Sequence, residues 1–88
     1  MEFKKHGDMF YLGEAENPKA YVSFSIKDGK VYVEHTVVKP ELGGQGIAAK
    51  LNDRVVEFAK EEGLKIVPVC SYTVKYFEKN EELKEMLG

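Results

Sequence analysis

Eighty-eight residues, 43% of them hydrophobic and 32% charged, describe one small globular domain over 1–88 with a thin core, which excludes most multidomain enzymes. Thirteen Lys and Arg against fifteen Asp and Glu give a net charge of −2, which argues against general binding to nucleic acid or to an anionic membrane. A lone cysteine cannot close an internal disulfide, no apolar run approaches the roughly 20 residues of a membrane span, and the opening MEFKKHGDMF lacks a signal-like apolar stretch, so the expected compartment is the cytoplasm.

Residues 2–6 and 9–13 predict a first short hairpin around Gly7-Asp8. Glu14 to Lys19 is polar and holds Asn17-Pro18, a turn signal. Val22, Phe24 and Ile26 then alternate with Tyr21, Ser23 and Ser25, the period of a strand. Asp28-Gly29 predicts a two-residue hairpin, because both central positions of a type I′ turn need positive φ. Its partner strand is Val31 to Val38, which would set His35 on one face with Val31, Val33 and Val37. After Lys39-Pro40 the period changes. Ile47, Leu51, Val55 and Phe58, flanked by Ala48, Asn52 and Ala59, predict a helix of about 16 to 18 residues ended by Gly63. Leu64 to Cys70 is short, apolar and rich in Val and Ile, and predicts a buried strand. Pro68 cannot donate to a ladder, so one flank should splay at its level. Ser71–Lys79 and Glu81–Leu87 predict two short helices.

The order is ββββαβα, an α+β chain with a mixed sheet, in which a crossover helix joins the fourth and fifth strands. If those two strands are parallel neighbours, the helix packs on one face of the sheet. Ligands of open α/β sheets bind at the edge where such helices begin.

Leu42-Gly43-Gly44-Gln45-Gly46-Ile47-Ala48-Ala49 opens the long helix. Glycines allow a tight curl and a close approach, and the first helical amides carry unpaired hydrogens and partial positive charge. Such a turn suits a phosphate or pyrophosphate, although a tight connection with no ligand is an equal expectation for an isolated glycine cluster. A Walker A loop would need Lys-Ser/Thr where Ile47-Ala48 stand. Gly44-x-Gly46-x-x-Ala49 fits the dinucleotide fingerprint literally, but no acid occupies Val69 or Cys70 to hold a ribose. Gly43 to Ala48 matches the second half of a third motif, the acetyl-CoA loop Gln/Arg-x-x-Gly-x-Gly/Ala.

With His35-Thr36-x-Val38 before that loop and Val67-Pro68-Val69-Cys70-Ser71-Tyr72 after it, the chain resembles the GNAT acetyltransferases, and more closely their small single-domain, YjdJ-like branch. The resemblance runs from about Ala20 to Asn80. It departs at Gly43, where Gln or Arg is usual, and at Ser71, where proline often follows the cysteine. The first helices and last strands of a full-length GNAT domain have no counterpart, which implies a truncated domain.

The resemblance implies an acetyl-CoA-dependent N-acetyltransferase with a splayed strand pair. The acceptor would be a small-molecule amine or a protein lysine. Val37 and Val38 would offer backbone groups to pantetheine. Gln45, Gly46, Ile47 and Ala48 would offer amides to the pyrophosphate, with Gly44 giving clearance. Lys50, Lys75 and Lys79 are candidates for the 3′-phosphate, or else solvated surface lysines. A lysine-like amine is only about 0.04% neutral at pH 7, so transfer needs a base or desolvation, an oxyanion stabiliser and an acid for the departing thiolate. Cys70 is the candidate nucleophile or proton carrier, against the reading of a buried structural thiol. His35 becomes a candidate base or orienter for it, although a histidine among apolar neighbours is more often a satisfied core residue. Tyr76 is the candidate acid, one place before Phe77-Glu78-Lys79, which holds the family's tyrosine register, and so about 100° away around the helix. One Cys and two distant His offer no metal cluster. The competing reading is an acyl-CoA-binding or sensor module without turnover.

Overall fold

The computed structural model describes residues 2–88. Five strands, β1 (Lys4–Lys5), β2 (Met9–Glu14), β3 (Asn17–Lys27), β4 (Lys30–Val38) and β5 (Lys65–Pro68), lie side by side in chain order. The first four pair antiparallel, and β4 pairs parallel with β5. Helix α1 (Ile47–Glu62) makes the crossover, and α2 (Ser71–Lys79) follows β5. The expected order and the mixed sheet are as found.

Local chemistry accounts for the turns. Asp28 and Gly29 take φ of 53° and 75°, as the two-residue hairpin requires. The β2–β3 connection differs from expectation. Strand pairing already begins at Glu14↔Asn17, so the turn falls on Ala15-Glu16 and not on Asn17-Pro18. Pro18 sits opposite Gly13, where the register slips and a proline leaves no gap in a regular ladder.

The apolar stripe of α1 lies on the sheet. Ile47, Leu51, Val55, Val56 and Ala59 are buried against Phe10, Ala20, Val22, Phe24, Val31, Val33 and Ile66. Phe10, Phe24 and Phe58 form a ring cluster with centroids 5.4 to 5.7 Å apart. Gly63 ends the helix at φ 69°, and Leu64 N–H then donates to Ala59 O at 2.8 Å.

A bulge in β4 decides which side chains reach the helical face. Ser23 pairs with His35 but Phe24 pairs with Val33, so Glu34 has no partner of its own. The extra residue inverts the alternation. Val31 and Val33 point inward before it, and Thr36 and Val38, opposite the buried Val22 and Ala20, point inward after it. His35 and Val37 therefore face outward and are exposed, which corrects the expectation that they share a face with Val31 and Val33.

The parallel pairing stops at Val33↔Pro68, while β4 runs on to Val38. Val33 O accepts both Val69 N–H (3.0 Å) and Cys70 N–H (2.8 Å), which turns the chain out of β5 and into α2. The strand thus ends two residues earlier than the apolar run suggests. Glu81–Met86 is a 3-10 helix and not an α-helix. It buries Met86 and brings Gly88 N–H to Ile66 O at 2.9 Å, covering the outer edge of β5.

Candidate active site

The glycine turn and the overhang of β4 meet at one end of the sheet. A 3-10 turn, Pro40–Leu42, leads from β4 into the glycines. Gly44 and Gly46 take φ of 79° and 70°, the left-handed region that favours glycine, and a Cβ on either would stand in open space. Gly46 is the N-cap of α1, and no side chain caps the helix. Lys50 N–H finds Gly46 O at 3.1 Å, so the amides of Ile47, Ala48 and Ala49 precede the helical ladder. An accessible, uncapped helix start with a soft backbone has the form of an anion site.

Backbone groups of β4 add to it. Lys39 N–H bonds Lys19 O, and antiparallel pairs alternate between bonded and non-bonded. The pairs Val38↔Ala20 and Thr36↔Val22 are then the non-bonded ones, so the N–H and C=O groups of Val38 and Thr36 point to the open side. Val37 pairs with Tyr21 and spends its backbone on β3, in contrast to the pantetheine contact expected of it. Its side chain is 41% exposed, and Val69, Tyr72 and Val74 are further exposed apolar residues next to the end of β5 and the start of α2.

Cys70 is the N-cap of α2, and its thiol lies 3.7 Å from Thr36 Oγ1, to which it donates. Burial pushes this thiol up, but hydrogen bonds from Thr73, Thr36 and the Tyr72 backbone outweigh that effect and hold it below its ordinary 9.0. Asn52, buried in α1, stands behind. Its Nδ2 donates to Thr36 Oγ1 (3.3 Å) and to Ala48 O (2.9 Å), and Thr73 Oγ1 donates to its Oδ1 (2.8 Å). Four polar side chains from β4, α1 and α2 thus converge at the end of β5.

The candidate residues divide accordingly. Cys70 stands at the opening, at the end of the sheet where the 44–48 turn lies. His35 is on the opposite sheet face from Thr36, so the fold does not bring it to the thiol. Tyr76 is 5% exposed, and its hydroxyl donates to Asp53 Oδ1. Burial, reinforced by Asp53, raises that phenol well above its ordinary 10.0. Phe77, in the register where the family has its tyrosine, is core at 3% exposure. Tyr72, Lys75, Tyr76, Lys79 and Asn80 line a hollow of about 250 Å³ with Ala49, close to the start of α1. Lys50 belongs instead to a separate hollow with Phe3, Asp53, Arg54 and Glu57. Among the described residues no three His, Cys, Asp or Glu converge as metal ligands, and no helix is long and apolar enough to cross a membrane.

Sequence reasoning missed Thr36, Asn52 and Thr73 as neighbours of the thiol. A signal existed for Asn52, a polar residue set one turn after Ala48 on the flank of the apolar stripe. Nothing in the sequence marks the bulge that turns Thr36 inward.

Comparison with known proteins gives a consistent picture. Residues 9–86 match the family model of the GCN5-related N-acetyltransferases. A GCN5-like candidate N-acetyltransferase from Staphylococcus aureus has 34% identity and a TM-score of 0.83, with 99% of this chain and 87% of that one covered. The ribosomal-protein-S18-alanine N-acetyltransferase of Escherichia coli (13% identity, TM-score 0.65) shares the fold over 81% of this chain and 49% of its own. So does a candidate GNAT acetyltransferase from Desulfovibrio desulfuricans (15% identity, TM-score 0.64), over 82% and 52%. Among curated proteins none matches significantly.

Proposed function

This chain belongs to the GCN5-related N-acetyltransferase family, and from that premise we propose that it transfers an acetyl group from acetyl-CoA to an amine, through Cys70. The observation that carries the proposal is the opening itself: β4 runs past its last pairing with β5 at Val33↔Pro68, and Cys70 and the uncapped start of α1 flank the overhang.

The residues present fit acetyl-CoA. Gly44 and Gly46 leave open space where a Cβ would stand, so a pyrophosphate can approach the amides of Gly46, Ile47 and Ala48. Gln45, between the two glycines, offers a further amide. Val38 and Thr36 offer backbone groups along the open edge, and the exposed Val69 and Val74, next to the end of β5, offer apolar cover for an extended thiol arm. Lys75 and Lys79, in the hollow beside Ala49, supply positive charge for the remaining phosphate. When bound, the cosubstrate supplies a thioester whose acetyl carbon is open to attack.

Cys70 is the attacking group in this reading. Its thiolate is favoured by hydrogen bonds and by its place at the start of α2. In the first exchange a bond forms between Cys70 Sγ and the acetyl carbon, the old carbon–sulfur bond breaks, and the Cys70 proton leaves with the coenzyme thiol. In the second, the neutral amine takes the acetyl group and the amine proton returns to Cys70. Tyr76 is committed to Asp53 and has a raised pKa, which favours a positioning role for it over that of proton donor. His35, on the outer face, has no part in these steps.

Intact-mass analysis after incubation with acetyl-CoA tests the proposal. It predicts an adduct of one acetyl group that is absent in Cys70→Ala and discharged by added amines. Tight coenzyme binding with neither adduct nor coenzyme release over a broad amine panel would instead establish a binding or sensor module.

A further inference from the structure

We infer that Asn52 is the positioning residue for Cys70: it holds the Thr36 hydroxyl beside the Cys70 sulfur, accepting from the thiol and ready to donate to the thiolate. The inference rests on the reading of Cys70 as the reacting thiol. Asn52 is 1% exposed, in the middle of α1, yet its amide reaches three elements. A polar side chain so buried is retained at a cost unless all its groups are paired, and here they are.

The chemistry of the partners sets the orientation of the Asn52 amide. Ala48 O can only accept, so the amide atom 2.9 Å from it is the nitrogen. The other amide atom is then the oxygen, and Thr73 Oγ1, at 2.8 Å, must donate to it. The second hydrogen of Nδ2 goes to Thr36 Oγ1 at 3.3 Å. Thr36, accepting there, must turn its own hydrogen elsewhere, and Cys70 Sγ stands 3.7 Å from the same oxygen. With a thiol, Sγ–H donates to the remaining lone pair of Thr36. With a thiolate, the Thr36 O–H donates back to sulfur. Asn52 thus polarises the hydroxyl toward stabilising the charged form.

The network is neutral. The titratable or charged side chains on the elements around the thiol are Lys30, Tyr32, Glu34 and His35 on β4, Lys65 on β5, Lys50, Asp53, Arg54, Glu57, Lys60, Glu61 and Glu62 on α1, and Tyr72, Lys75, Tyr76, Glu78 and Lys79 on α2. None of them figures as a charge among the causes that move the thiol, which are burial and hydrogen bonds.

The test is the pH profile of Cys70 alkylation by iodoacetamide, followed by intact mass without acetyl-CoA, in variants whose melting curves show a folded protein. Asn52→Leu and Thr36→Val should each raise the midpoint by about 0.5 to 1 pH unit, slowing alkylation roughly three- to tenfold below it. The double variant should shift no further than Thr36→Val alone, and Thr36→Ser should keep the wild-type midpoint. An Asn52→Leu midpoint equal to wild type, or shifts that add in the double variant, would overturn the inference. If Asn52→Leu does not fold, Asn52→Asp takes its place: it gives Thr36 an acceptor, draws the O–H away from sulfur, and must raise the midpoint, an unmoved one refuting the role. Because no acetyl-CoA is used, a moved midpoint in a protein that forms no acetyl adduct leaves the positioning role standing and removes acetyl transfer through Cys70. An adduct with an unmoved midpoint does the reverse.

Discussion

Cys70 and His35 show how one backbone irregularity reassigns chemistry. The sequence places His35 within one strand and Cys70 at the end of the next and supplies the residue types of a thiol–imidazole pair. The bulge at Glu34 then turns His35 to the outer face and brings Thr36 to the sulfur. His35→Ala is therefore expected to keep coenzyme release within about twofold of wild type, as surface substitutions usually do; a loss of more than tenfold would return the imidazole to the mechanism. Tyr76 gives a second prediction. Its pKa is raised in the fold by burial and by Asp53, so the phenol is held neutral and its stabilising contribution is complete below the ordinary 10.0. As pH rises beyond that value the unfolded chain ionises first and stability falls. Melting temperatures measured from pH 8 to 11 should drop more steeply for wild type than for Tyr76→Phe, and parallel curves would contradict the assignment. Cys70 and Tyr76 were legible as candidates because the family resemblance points to them. Thr36 was not, because a bulge is a property of pairing between strands and leaves no mark in a period-two pattern.

At the level of elements, the glycine turn and α1 were readable almost to the residue. A change of period, glycines at the start and Gly63 at the end are local signals with local causes. The start of β3 was not. Asn17-Pro18 has the composition of a turn, but the neighbouring Ala15-Glu16 makes it, and Pro18 is tolerated where the ladder is already irregular. The stop of β5 at Pro68 was half legible: the missing donor was visible, the double acceptance at Val33 O was not. Gly46→Ala tests the turn. At φ 70° a side chain costs about 1 kcal/mol and its Cβ enters the space proposed for the pyrophosphate. Coenzyme A affinity measured by calorimetry should fall by about tenfold or more, the equivalent of at least 1.4 kcal/mol. Gly7→Ala, also at positive φ but far along the chain from the turn, should leave affinity unchanged. An equal loss in both variants would point to general destabilisation.

Across the whole molecule, a thin core carries a site built at the end of the sheet. Leu51 is fully buried at the centre of the α1 stripe, and Leu51→Ala should lower the unfolding free energy in urea by about 2 to 5 kcal/mol. For 88 residues that is a large part of the total, so the variant should be partly unfolded at 37 °C. A loss below about 1 kcal/mol would mean that the helix is not packed as described. The order of elements was legible from period and turns. The meeting of the β4 overhang, the glycine turn and Cys70 was not, because three segments far apart in sequence make it. The most direct measurement of that meeting is a titration of isotopically labelled protein with acetyl-CoA, followed by backbone amide shifts. The largest changes are expected at Gly44 to Ala49, Thr36, Val38 and Cys70 together. No shifts at millimolar acetyl-CoA, or shifts confined to the hollow around Phe3 and Arg54, would contradict the account.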